Sequence, residues 1–147
     1  MEMGEQPSLR DSAGRMIPRD DPDTSNEAYL VRYVHRLWLA PDKAGGRRLS
    51  KAAFSPSSEA RDPYRGMSTE LLHLILNDGL SPLDRKPADH EGSVKLKVGD
   101  LRGLGLKVAH DPIAGNPYHA TVWGVTRAVQ KQVLRICRWI DKPLDVN

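Results

Sequence analysis

HDPIAGNPYHATVWG, residues His110–Gly124, reads as the end of one strand, a loop and a second strand. From His119 onward the side chains alternate: Ala120 and Val122 point one way, His119, Thr121 and Trp123 the other, which is the period of a strand. Asp111-Pro112 and Asn116-Pro117 are turn-forming pairs, because proline presets φ and Asn or Asp bonds its own backbone. A strand–loop–strand unit of this length argues for neighbouring antiparallel strands.

Working outward, VKLKV sets Val94, Leu96 and Val98 against Lys95 and Lys97, a half-buried strand. LGLKVAH places Leu104, Leu106 and Val108 on one face, and GDLRGLG before it reads as a turn. Residues 29–39 fit either period. Tyr29, Val31, Tyr33, His35, Leu37 and Leu39 share a face at period two, while Leu30, Val34, Leu37 and Trp38 form a stripe at period 3.6. Their β-branched and aromatic content favours a strand. PDKAGGRR is a turn, LSKAAF a short strand, and SPSSEARDPYRG and SPLDRKPADHEG are loops. TELLHLIL reads as a helix with Ser68 as N-cap and Gly79 past its end. TRAVQKQVLRICRWI reads as an amphipathic C-terminal helix capped by Thr126, with Val129, Val133, Ile136 and Ile140 as its apolar stripe and Pro143 as its stop. The fold class expected is α+β: a small, mostly antiparallel sheet packed with two or three helices.

The chain has 147 residues, enough for one self-sufficient core. Residues 1–26 are polar and charge-mixed and predict a disordered arm, with Thr24 and Glu27 at capping-box spacing near its end. A single α+β domain then spans 27–142, and 143–147 form a tail. The only cysteine, Cys137, lies in an apolar-patterned run and reads as an inert buried thiol in a reducing compartment. No apolar run has the length of a signal peptide or a membrane span, so a soluble, cytoplasmic protein is expected. The net charge of +3 permits nucleic-acid binding without arguing for it.

Polar groups that can do chemistry concentrate around the loop: His110, Asp111, Asn116, Tyr118, His119 and Trp123. Histidine exchanges protons near neutrality, so the leading expectation is a binding or accessory domain that takes a protein or small ligand in a cleft around His110–Trp123. The plainer reading makes His119 a turn-fixing residue and Tyr118 and Trp123 packing groups. Metal-ligand spacings such as HExxH, HxH or paired cysteines are absent from the sequence, and no metal or other cofactor is expected on the leading reading.

A dispersed set, Arg32, AAF at 52–54, Ser68 and His119, resembles the order of elements in ADP-ribosyltransferase-like domains. The resemblance implies a nucleotide-processing enzyme using NAD, with Arg32 as phosphate clamp, Ser68 as ribose contact and His119 as acid–base or positioning group. Arginine suits a pyrophosphate because its planar fork donates two parallel bonds. The chain departs from those transferases in lacking their late acidic residue, where His119 stands instead. The structural alternatives are a helix cap for Ser68 and a surface carboxylate partner for Arg32.

Arg127, Lys131, Arg135 and Arg138 recur at steps of three and four on the last helix. They make either a solvated face or a phosphate-tracking one, and weak nucleic-acid binding is the corresponding alternative. AGGRRLSK matches neither common phosphate-loop spacing. Finally, RLSKAAF, GMST and HDPIAGNPYHATVWG together resemble an uncharacterised group of small bacterial proteins sharing an AF…S…DP…NPxHA pattern. The matching positions are Ala53, Phe54, Ser68, Asp111, Pro112, Asn116, Pro117, His119 and Ala120. That resemblance implies a compact bacterial protein and carries no activity with it.

Overall fold

The structure, a computed structural model, describes residues 9–147. Its centre is a six-stranded antiparallel sheet in the order β6-β7-β4-β1-β5-β8. These strands are β1 (Tyr29–His35), β4 (Met67–Leu71), β5 (His90–Lys97), β6 (Lys107–His110), β7 (His119–Trp123) and β8 (Arg138–Asp141). A short hairpin of β2 (Leu39–Pro41) and β3 (Arg47–Leu49) stands apart from it. Four helices complete the α+β fold: α1 (Leu72–Asn77), α2 (Pro82–Arg85), α3 (Val98–Gly103) and α4 (Arg127–Ile136).

Alternation along β1 feeds two apolar layers. Leu30 and Val34 join the main core with Phe54, Met67, Val94, Leu96, Val122 and Val133. Val31 and Tyr33 pack the opposite face with Ile75 and Tyr118. The amphipathic α4 supplies Val133 to the main core, and Thr126 caps it by accepting from Val129 N at 3.4 Å.

Several local expectations are corrected. Ser68 is not a helix cap: MSTEL forms β4, bonded on one side to β7 and on the other to β1, and α1 begins only at Leu72. A central strand buries both faces, so Met67, Thr69, Glu70 and Leu71 show no alternation to read. LSKAAF is a strand only to Leu49, after which Lys51–Phe54 make a 3₁₀ turn. The turn expected at GDLRGLG is α3, nucleated by the buried pair Val98 and Leu101. The last helix stops at Ile136. Cys137 turns extended, and Arg138–Asp141 form β8 against the outer edge of β5, where Trp139 faces Val94. An unpaired sheet edge outcompetes helical periodicity there, so Arg138 and Ile140 leave the helical stripe.

The two ends of the chain are also part of the packed unit. Met16 is buried with Ala109 and Trp123, and Asp21 N donates to Val108 O at 2.9 Å. Arg102 of α3 clasps this segment through Asp20, the Asp21 and Thr24 carbonyls and Asn26. Residues 9–26 are therefore joined to the sheet by hydrogen bonds together with the single apolar anchor Met16, which a composition reading does not register. Thr24 bonds Asp21 and caps no helix. At the other end Val146 is buried, and Asp145 takes a two-pronged contact from Arg47. Residues 1–8, the rest of the expected arm, lie outside the described residues. No helix among the described residues is long and apolar enough to cross a membrane.

Candidate functional site

The site is a split in the sheet. β1 and β4 pair only at Leu30–Leu71 and Val31–Glu70. Continued, that register would join Arg32 to Thr69 and Tyr33 to Ser68, but the strands diverge. A cleft of about 320 Å³ opens between them, and its walls include Arg32, Tyr33, Trp38, Ser68, Glu70, Arg85, Asn116 and His119. Arg32, Ser68 and His119, dispersed along the sequence, thus meet in one place.

Ser68 and His119 form a hydrogen-bonded pair. They sit on adjacent strands as a same-face diagonal pair, two residues apart in register, since Ser68 pairs with Thr121 and Glu70 with His119. His119 Nδ1 lies 2.8 Å from the Asp111 carbonyl oxygen. A carbonyl only accepts, so Nδ1 carries the proton, and in the neutral ring Nε2 offers its lone pair. Ser68 Oγ stands 3.2 Å from that Nε2. Behind the ring the Asp111 carboxylate is buried, accepts from Thr121 Oγ1 at 2.8 Å and is paired with Arg10 at 2.8 Å. The oxygen that accepts from Thr121, Oδ2, also lies 3.7 Å from His119 Nδ1, while Arg10 is on Oδ1. An exposed hydroxyl, a base within reach of it and a group that orients the base make the arrangement that activates or deprotonates a hydroxyl.

Arg32 plays a different part from the one its charge suggests. Its guanidinium fills the split, donating to the carbonyls of Ala53 at 2.9 Å, Ser68 at 2.8 Å and Ser55 at 3.3 Å, and it stacks 4.9 Å from the Trp38 ring. These bonds tie the β4 carbonyl of Ser68, on the diverging strand, to the carbonyls of the 3₁₀ turn at Ala53 and of Ser55 just after it. Burial lowers its pKa to about 10. No carboxylate among the described residues pairs with it.

Glu70, Arg85 and Tyr33 escape sequence reasoning. Glu70 accepts from Arg85 at 2.8 and 2.6 Å, from Tyr33 Oη at 2.8 Å and from Asn116 Nδ2 at 2.7 Å. Burial raises its carboxyl pKa, but the bonds from Arg85, Tyr33 and Asn116 outweigh that and hold it below the ordinary glutamate value. Burial and the same carboxylate push the Tyr33 phenol upward. With all these donors engaged, Glu70 is a clamp that ties the Asn116 loop to the split. The only local signal was an acidic residue inside an otherwise apolar stretch.

The remaining residues singled out around the loop make contacts within the fold. His110 Nε2 contacts the Pro117 carbonyl at 2.7 Å, Tyr118 is buried and its hydroxyl donates to Asp78, and Trp123 is buried beside Met16. Asn116 and His119 reach the cleft, while Asp111 and Trp123 line a small recess of about 100 Å³ behind it. A larger hollow of about 600 Å³ lies near the start of α4, but its walls hold no histidine or carboxylate. Arg127, Lys131 and Arg135 project from α4 as exposed side chains, and Arg138 bonds the Arg135 and Cys137 carbonyls from β8. Among the described residues no three His, Cys, Asp or Glu side chains are grouped to hold a metal ion. No family model, curated protein or solved structure matches the chain.

Proposed function

We propose that this domain is an enzyme acting on a nucleotide-like small molecule in the cleft between β1 and β4, with NAD as the first compound to test. The observation that carries this reading is the convergence of Arg32, Ser68 and His119 on one cavity. Its volume, about 320 Å³, admits one moiety of such a ligand, near the lower end for ligand pockets. In the reaction envisaged, the ribosyl–nicotinamide bond breaks and nicotinamide leaves with the bonding pair. An attacking hydroxyl or water supplies the new C–O bond, and its proton passes to His119 Nε2. Ser68 Oγ, which holds that nitrogen in the free protein, is then released to a ribose hydroxyl. A positioned general base contributes about 10²–10⁴ in rate. A cytoplasmic, bacterial setting belongs to the same reading and is supported by the lone cysteine and the motif resemblance.

One observation favours a second reading, a binding domain without turnover. The cleft's one carboxylate, Glu70, is tied by Arg85, Tyr33 and Asn116 and is not free to steady a developing cation. Incubation with NAD and assay of released nicotinamide separates the two. Release that falls at least a hundredfold, roughly the lower limit for a lost general base, in His119→Ala supports the enzyme. Binding of NAD that depends on Ser68 and His119 with no release supports the binding domain. No binding by calorimetry at millimolar NAD or ADP-ribose overturns both.

A further inference from the structure

Arg32 is a half-buried cation without a counter-ion among the described residues. Its hydrogen bonds go to three carbonyls, which engage three of its five N–H donors and leave its charge uncompensated in a partly desolvated place, which an anion would relieve. On the side away from Glu70 lies a second recess of about 260 Å³, which shares Arg32, Trp38 and Ser68 with the cleft. The rest of its wall is Ser55–Ser58 and Arg61. Two guanidinium groups and several hydroxyls therefore face this space, and no carboxylate does. The Ser58 hydroxyl and the Arg61 guanidinium make no hydrogen bond or ion pair among the described residues, whereas Ser57 Oγ is spent on the Gly66 carbonyl at 3.0 Å. Phosphate is the group that matches such a lining, since it accepts several charge-assisted bonds from a planar fork and from hydroxyls.

We propose that this recess is the phosphate seat of the cleft's ligand, with Arg32 supplying the inner, half-buried charge and Arg61 and Ser58 closing on the phosphate oxygens from the outer side. The inference rests on the reading of the cleft as a nucleotide-like site and narrows its substrate class to nucleoside phosphates. Ser68 stands on the wall between the two spaces, so a ligand with its sugar at Ser68 reaches both.

The test uses pyrophosphate alone as probe, titrated into the full chain by calorimetry. Arg61 is exposed and outside every helix and strand, so Arg61→Gln leaves the fold in place. Pyrophosphate should bind the parent and bind Arg61→Gln roughly ten- to a hundredfold more weakly, the loss typical of a charged hydrogen bond. His119→Ala should bind it as the parent does. Equal affinity in the parent and Arg61→Gln, or no binding at millimolar pyrophosphate, overturns the phosphate seat. His119-dependent nicotinamide release that is indifferent to Arg61→Gln leaves the enzyme reading standing and removes the seat. Arg61-dependent pyrophosphate binding with no His119-dependent chemistry does the reverse.

Discussion

Replacing Glu70 by Ala removes the clamp that holds the split open in its observed shape. The carboxylate accepts bonds from Arg85 (two), Tyr33 and Asn116, and Arg85 would be left beside the Tyr118 ring without a partner. Breaking a buried pair by deleting one partner costs about 3–5 kcal/mol. Arg85 keeps 23% of its side-chain exposure against 9% for Glu70, so it can rehydrate in part, and the lower edge, about 3 kcal/mol, applies. For a domain of this size that is roughly 6–12 °C in Tm. Urea denaturation of parent and variant measures it directly, with m unchanged. The difference also depends on pH. Because the folded-state pKa of Glu70 is lowered from 4.5, its contribution is complete above the unfolded value and disappears as pH falls through the folded one. In Glu70→Ala/Arg85→Ala the loss should be smaller than the sum of the single losses, since no orphaned charge remains. A Glu70→Ala loss under about 1 kcal/mol, the range of an exposed pair, or one independent of pH in that window, refutes the clamp.

Three further outcomes follow from the packing. Burial pushes the Cys137 thiol from 9.0 to about 11, so a disulfide reagent at pH 8 should label native protein roughly a hundredfold more slowly than protein in urea, the thiolate being the reactive form. Labelling at equal rates would show that the thiol is free. Met16→Ala should cost about 2 kcal/mol in urea denaturation, the low end for a buried methionine, because Met16 packs on Ala109 and Trp123; no measurable loss would restore the mobile-arm description of this segment. The exposed cations of α4 are expected to be a solvated face, so a low-salt gel shift should be absent in the parent and unchanged in Lys131→Glu/Arg135→Glu. A shift that the double variant abolishes would instead assign phosphate contacts to Lys131 and Arg135.

Strands with one wet face were legible. Lys95 and Lys97 alternate with Val94 and Leu96 in β5, whereas β7 was read from the alternation of residue types although Ala120–Trp123 are all buried. The central strand β4 was not legible, because it buries Thr69 and Glu70 along with Met67 and Leu71, and hydropathy reads GMSTELL as the start of a helix. That misreading mattered for function, since it turned Ser68 from a cleft residue into a cap. The order Arg32, Ser68, His119 could be taken from the chain, but their meeting depends on β1 and β4 parting after two residue pairs, a tertiary event with no local signature. Glu70 and Arg85 are hidden for the same reason: one sits mid-strand, the other in a short helix within a polar loop, and only the fold makes them a pair. At the C-terminus Ile140 continued a helical stripe, yet the open edge of β5 claimed that segment as β8.

The most direct test of the split-sheet site is a titration of ¹⁵N-labelled protein with ADP-ribose, followed by backbone amide shifts. Shifts concentrated at Arg32, Trp38, Ser68–Glu70 and His119, and lost in a Ser68→Ala/His119→Ala double variant that keeps the parent's spectrum elsewhere, are the predicted result. Shifts centred instead on Pro112–Gly115 or on α4, or no shifts at millimolar ligand, would contradict it.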